Sequence, residues 1–231
     1  MAIDISLSNK QTEKQELPLA IPQATLRRLP QYHHYLVQLQ ARGGKQISCT
    51  TIGHDLNFVA VQVRKDLQYT GLPGKPKTGY VVAELVQAIE NFLGWNKVNE
   101  AFLVGAGNLG TAILGHEKFS QYGLHIVAAF DSDATKVGTR IHGRDVLPLE
   151  KLPNLARRMS IRLGIITAPT DAAQSVANLM AEAGIQAIWN FAPVRLKVPA
   201  EIFVHNEDLY ASLASLSCKL AERLGAPVRN L

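Results

Sequence analysis

Two groups of residues have the types and spacing to do chemistry. The first is Gly105-Ala106-Gly107-Asn108-Leu109-Gly110, entered from the apolar run 101–104 and followed by a helix-like run. Asp131 stands 21 residues beyond the last glycine, at the end of a second apolar run, 125–131. Strand, glycine turn, helix and a distant acid is the pattern that holds a dinucleotide. Gly105 allows the tight turn, Gly107 lets backbone approach a pyrophosphate, and Gly110 lets helix pack on strand. A carboxylate at Asp131 accepts from both ribose hydroxyls and repels a 2′-phosphate, which favours NADH and NAD+ over their phosphorylated forms. Lys136, just beyond, is placed for the adenosine side. Thr167-Ala168-Pro169 and Asn190-Phe191 end two later strand-like runs. Strand C-termini line the ligand crevice of an open α/β sheet, so these turns are expected at the middle and nicotinamide end of the cofactor.

The second group is basic. Gln62, Arg64, Lys65 and Gln68 lie along one short helical run, and Lys75 and Lys77 sit in the Gly/Pro-rich stretch that follows. These side chains suit phosphates and base edges. Residues 22–80 carry eight Lys or Arg against two acids, whereas residues 85–231 carry fourteen against thirteen. The net charge of +5 is therefore concentrated in the first third of the chain, which points to a polyanionic partner there.

The elements that must position both groups follow from periodicity and turn chemistry. Leu26, Leu29, His33, Leu36 and Leu39 recur at helical spacing up to Arg42-Gly43-Gly44, and Pro30 either starts or kinks that helix. Ser48 caps a second helix ending near Leu56, and Asn57 tolerates a left-handed turn before a third helix over 59–70. That is a helix-turn-helix at about 31–70, with 71–82 as a wing hairpin. An amphipathic helix over 82–93 is closed by Gly94-Trp95-Asn96, a natural domain boundary. Strands and helices then alternate: strand 101–104, helix 108–122, strands 125–131 and 161–167, helix 170–183, strands 187–191 and 202–204, helix 207–224. This alternation specifies a parallel sheet covered by helices. Residues 1–20 are polar and unpatterned, and read as a flexible arm.

Several functions are disfavoured. No apolar run approaches the roughly 20 residues that span a bilayer, and the first twenty residues lack a secretory core, so a cytoplasmic protein without a membrane partner is expected. The two cysteines, Cys49 and Cys218, show no metal or disulfide spacing, and no metal is expected. The seven histidines form no paired site. A hydride-transfer enzyme needs a substrate pocket and a proton donor, and the sheet segment leaves little chain to build one. No catalytic residue is assigned. An NAD-dependent oxidoreductase with a basic appendage, and a coenzyme A-binding Rossmann domain, stay open as alternatives.

The chain resembles the Rex family of redox-sensing transcriptional repressors. The residues that carry the resemblance are Ile21-Pro22-Gln23-Ala24-Thr25, Arg28-Leu29-Pro30-Gln31-Tyr32, Gln62-Val63-Arg64-Lys65-Asp66-Leu67, Gly74-Lys75, Gly79-Tyr80, the glycine turn, Ala128-Ala129-Phe130-Asp131, Asn190-Phe191-Ala192-Pro193 and Asp208-Leu209. The resemblance implies a non-enzymatic homodimer on palindromic double-stranded operator DNA, released when NADH binds and compatible with NAD+. It implies a winged-helix DNA-binding domain at 21–82, a Rossmann NAD(H)-binding domain at 83–206, and a C-terminal helix, 207–231, exchanged in the dimer. It also implies that Arg28, His116 and Asp208 couple the nucleotide site to the DNA domain. This chain departs from the family in three places: Pro76 stands where a second basic wing residue is usual, Glu207 adds an acid before Asp208, and His116 replaces a tyrosine. Histidine donates the same hydrogen bond, but its charge responds to pH, so release by NADH is expected to vary between pH 6 and 8.

Overall fold

The computed structural model describes residues 21–224; the expected arm at 1–20 and the end of the chain lie outside the described residues. The chain divides between Leu93 and Gly94 into two units.

The first unit opens with α1 (Gln23–Ala41), which continues through Pro30. Strand β1 (Gln46–Ile47) leads to α2 (Cys49–Leu56), and the Ser48 hydroxyl caps that helix by accepting the Thr51 N–H at 3.0 Å. Asn57 turns the chain in the left-handed region, φ 58° and ψ 43°, and α3 (Ala60–Gln68) follows. Strand β2 (Tyr80–Val81) pairs antiparallel with β1 and runs into α4 (Val82–Leu93). Leu29, Tyr32 and Leu36 of α1 share one core with Ile52, Val63, Leu67 and the α4 residues Leu85, Val86 and Ile89. The apolar face of α4 is buried in this core, so α4 belongs to this unit and not to the sheet that follows.

The second unit is a seven-stranded sheet in the order β5-β6-β4-β3-β7-β8-β9. Its strands are β3 (Asn99–Val104), β4 (Leu124–Asp131), β5 (Arg140–Ile141), β6 (Arg144–Pro148), β7 (Leu163–Ile166), β8 (Ala187–Asn190) and β9 (Phe203–Asn206), parallel except for β5 on β6. The period of two splits β3 cleanly. Phe102 and Val104 pack with α6 (Leu152–Met159) and α7 (Thr170–Glu182), whereas Ala101 and Leu103 pack with α5 (Asn108–Leu114).

The expected helix over 108–122 is two pieces. It stops at Gly115, where a Cβ would lie 2.6 Å from the His142 ring, and resumes as a 3₁₀ turn at Glu117–Tyr122. The last helix, α8 (Leu209–Arg223), begins at Asp208, whose carboxylate accepts the Ala211 N–H at 2.7 Å. Leu213, Leu216, Leu220 and Leu224 form an exposed apolar stripe along it.

Candidate functional site

In the second unit, the C-terminal ends of β3, β4, β7 and β8 open onto a cavity of about 840 Å³. Gly105, with φ +106°, takes a conformation that side chains avoid. A Cβ on Gly110 would lie 2.0 Å from the Gly105 carbonyl, so this glycine lets α5 close onto its own turn. A Cβ on Gly107 would meet nothing within 4 Å, and Gly107 lines the cavity. The backbone there is bare toward open space, as a pyrophosphate requires. Thr167 locks the turn from the neighbouring strand end by donating its hydroxyl to the Gly105 carbonyl at 2.7 Å.

Asp131 is 8% exposed at the cavity wall. One carboxylate oxygen accepts the Ala106 N–H at 2.8 Å and the Lys136 ammonium at 3.2 Å; the other accepts the Asp133 N–H at 2.9 Å. Burial works against its charge, but the Asp133 amide, Lys136 and the Ala106 amide outweigh it and hold the carboxyl below its ordinary range. The acid is kept ionised and aimed, with lone-pair capacity left for a ligand hydroxyl. Lys136, expected on the adenosine side, lines the cavity and pairs with Asp131 and with Asp133 at 3.6 Å.

Gly105, Gly107, Leu109, Asp131, Lys136, Thr167, Ala168, Pro169 and Phe191 all line this cavity. Four expected residues do not. Ala106 is buried with its amide committed to Asp131, Gly110 is a packing residue, and Asn108 is exposed at the start of α5. Asn190 is fully buried, and its amide is spent on Ala192, Val194 and Asn206 at 2.9–3.1 Å. It shapes the turn that presents Phe191 and is not a cavity residue. Sequence reasoning missed Ser132, Thr170, Ser175 and Tyr210 among the lining. The first two directly follow nominated strand ends, which was the available signal; Tyr210 comes from α8 and had none.

His116 lies on a separate cavity of about 490 Å³, with Glu117, Phe119, Ser120, His142 and Arg144. Aromatic contacts link the two: His116 to Phe119 at 4.6 Å between ring centroids, Phe119 to Trp189 at 5.8 Å, and Trp189 to Phe191 at 4.7 Å. Glu207 accepts the Trp189 indole N–H at 3.1 Å and pairs with His205 at 3.3 Å, while its own amide bonds the Asn190 carbonyl at 2.8 Å. The extra acid thus ties the root of α8 to β8. Among the described residues His116 and Asp208 share no hydrogen bond.

In the first unit, Arg64 and Gln68 of α3, Lys75 and Lys77 of the wing, and the start of α2 line one groove of about 480 Å³. The wing is a tight hairpin: Lys75 and Gly79 exchange backbone hydrogen bonds at 2.7 and 2.9 Å, and Lys77 holds its tip at φ +68°. Lys65 is exposed on the same helix but off the groove. Gln62 is half-buried and donates to Asp66 at 3.1 Å.

Asp66 is the hub that sequence reasoning missed. It is 1% exposed and accepts from Thr25 at 2.9 Å, Tyr32 at 2.8 Å and Arg28 at 2.6 and 2.9 Å. Burial opposes its charge, and hydrogen bonds led by Arg28 overcome that and hold the carboxyl below its ordinary range. The hydrogen bonds that Arg28 donates to Asp66 raise Arg28 in turn. Arg28, expected as a coupling residue, is the bolt between α1 and α3. Its signal was an acid placed between Val63 and Leu67 on the apolar face.

Known proteins supply a further test of both sites. The family described as "CoA binding domain" matches residues 96–194, and the one described as "Putative DNA-binding protein N-terminus" matches residues 20–68. The redox-sensing transcriptional repressor Rex of Treponema denticola is 44% identical over 203 residues, 88% of this chain and 95% of its own length. The chain belongs to the Rex family. The Rex of Bacteroides thetaiotaomicron is 39% identical over 200 residues, 87% of this chain and 91% of its own. The solved structure of RSP with NAD+ and operator DNA has a TM-score of 0.85 at 36% identity, over 89% of this chain and 94% of its own. RSP with NADH has a TM-score of 0.80 at 35% identity, over 89% and 96%. RSP is itself described as a Rex-family repressor. Rex membership accounts for both family matches: one covers the helix-turn-helix and the other the Rossmann sheet with its glycine turn. Among the described residues, no helix is long and apolar enough to cross a membrane, and no group of three His, Cys, Asp or Glu could hold a metal ion.

Proposed function

We propose that this chain is a cytoplasmic, homodimeric repressor that holds palindromic operator DNA and lets it go when NADH binds. The observation that carries the reading is the pairing, in one chain, of a bare glycine turn beside an ionised acid with a groove lined by Arg64, Lys75 and Lys77. The glycine turn, Asp131 and the Thr167–Pro169 turn hold the dinucleotide, and Phe191 lies toward its nicotinamide. The bound dinucleotide supplies a redox signal, since the reduced ring is neutral and the oxidised ring cationic. An apolar wall at Phe191 favours the neutral ring.

A sensor needs different ligand affinities in two states, not turnover. The exposed leucine stripe of α8 supports a dimer in which this helix packs on a second copy, and re-spacing the two recognition helices breaks the half-site geometry. Arg28, His116 and Asp208 are the residues we assign to that coupling, Arg28 by way of the α1–α3 bolt. Fluorescence anisotropy on operator DNA at fixed salt tests the reading: NADH weakens binding well below the concentration at which NAD+ does. Equal potency of NADH and NAD+ would overturn it. Tighter binding of coenzyme A than of NADH would favour the CoA-binding alternative.

A further inference from the structure

The outward face of α3 carries residues that phosphate binding does not need. Arg64, Lys65 and Gln68 are exposed, opposite the buried Val63 and Leu67. Val61 precedes them by three, four and seven residues and therefore shares their face. It is 56% exposed, and Val59, at the N-cap, is 71% exposed. Neither belongs to the core of the unit. The cap position adds an independent point. A polar side chain there would satisfy the first amides of the helix, as Ser48 does for α2. Val59 makes no such bond. Two β-branched apolar side chains stand in water at one end of a basic helix, one of them at a position where folding favours a polar residue.

We infer that Val61 and Val59 read thymine, packing their methyl groups against thymine C5-methyls in the major groove under the N-terminal end of α3. The inference rests on the DNA-binding reading above. N-terminal residues of a recognition helix are the ones that reach base edges. The thymine C5-methyl is the apolar group that base pairs present in the major groove, and apolar side chains recognise it. Arg64 and the wing lysines Lys75 and Lys77 line the adjoining groove, so the apolar pair lies on a polyanion-binding face, which argues for DNA over a protein partner.

The probe is the palindromic duplex that the full-length protein selects from a random-sequence pool, made again with deoxyuridine in place of every thymidine. Losing one packed methyl in each half-site weakens binding about fourfold per methyl, or about fifteenfold for the dimer. Val61→Ala weakens binding to the thymidine duplex and lowers the deoxyuridine penalty, the double variant Val59→Ala with Val61→Ala lowers it below about twofold, and Val61→Thr, which keeps the volume, lowers it in part. Arg64→Ala weakens binding but leaves the penalty intact, which separates methyl recognition from general loss of contact. A selected duplex without thymine, a wild-type penalty below about twofold, or an unchanged penalty in Val61→Ala and Val59→Ala overturns the inference while leaving the DNA-binding reading standing. Failure to select any duplex overturns that reading first.

Discussion

Each unit is organised around one buried aspartate, and the two are satisfied in opposite ways. Asp66 takes its hydrogen bonds from side chains, Thr25, Arg28, Tyr32 and Gln62, and is sealed at 1% exposure. Asp131 takes two of its three from backbone amides, those of Ala106 and Asp133, and opens on a cavity. Both carboxyls are held below their ordinary range against the pull of burial. The difference lies in what is left over. Four side chains in a closed pocket leave Asp66 nothing to offer a ligand, so it acts as cement between α1 and α3. Backbone amides fix Asp131 while leaving its outer edge free, so it is suited to read a hydroxyl.

The sharpest way to break this contrast is to neutralise each acid in turn. Asp66→Asn leaves the half-buried Arg28 without its charge partner and is expected to destabilise the first unit by about 3 kcal/mol, read by chemical denaturation. The sign with pH follows from the lowered pKa. The stabilisation is present above the unfolded value of about 3.9 and is lost as pH falls through the folded value, so wild type and variant converge in acid. A constant gap down to pH 2 would show that Asp66 is not the source. Asp131→Asn should instead lower NADH affinity by about tenfold, measured by calorimetry. If Asp66→Asn weakened NADH binding as much, the division of labour would be wrong.

Smaller effects refine the basic face. Arg64→Ala is expected to cost about 1–3 kcal/mol of operator binding, with base preference relaxed only at the position Arg64 contacts. Lys77→Ala should weaken binding evenly across sequences and lower the salt slope by about one. The smallest effect concerns His116, which shares its cavity with His142, Glu117 and Arg144. His116→Tyr should flatten the change in NADH potency between pH 6 and 8; identical profiles would remove His116 from the coupling.

Departures from the sequence reading have specific causes. The glycine turn, the Ser48 cap and the Asn57 turn were legible because each depends on residues within one turn of itself. The periodicity of α4 shows an apolar face and an end at Gly94, but not which core that face enters, so the sequence allowed a division at either end of this helix. The partners of Asn190 were not legible because an amide at a strand end looks the same whether it serves a ligand or, as its side chain does here, its own turn. The helix expected over 108–122 breaks at Gly115-His116, and the glycine there is set by the His142 ring, 27 residues away in sequence.

The sequence by itself determined the α/β alternation, the helix-turn-helix with its basic excess, and the position of the dinucleotide turn, because periodicity, capping and glycine chemistry are local. Only the tertiary structure decided that Asp66 bolts α3 to α1 across 34–41 residues, that Glu207 holds Trp189, and that Val59 and Val61 are left bare. Those outcomes depend on which distant groups share a buried volume, and partnership between charges, amides and methyls is settled by burial.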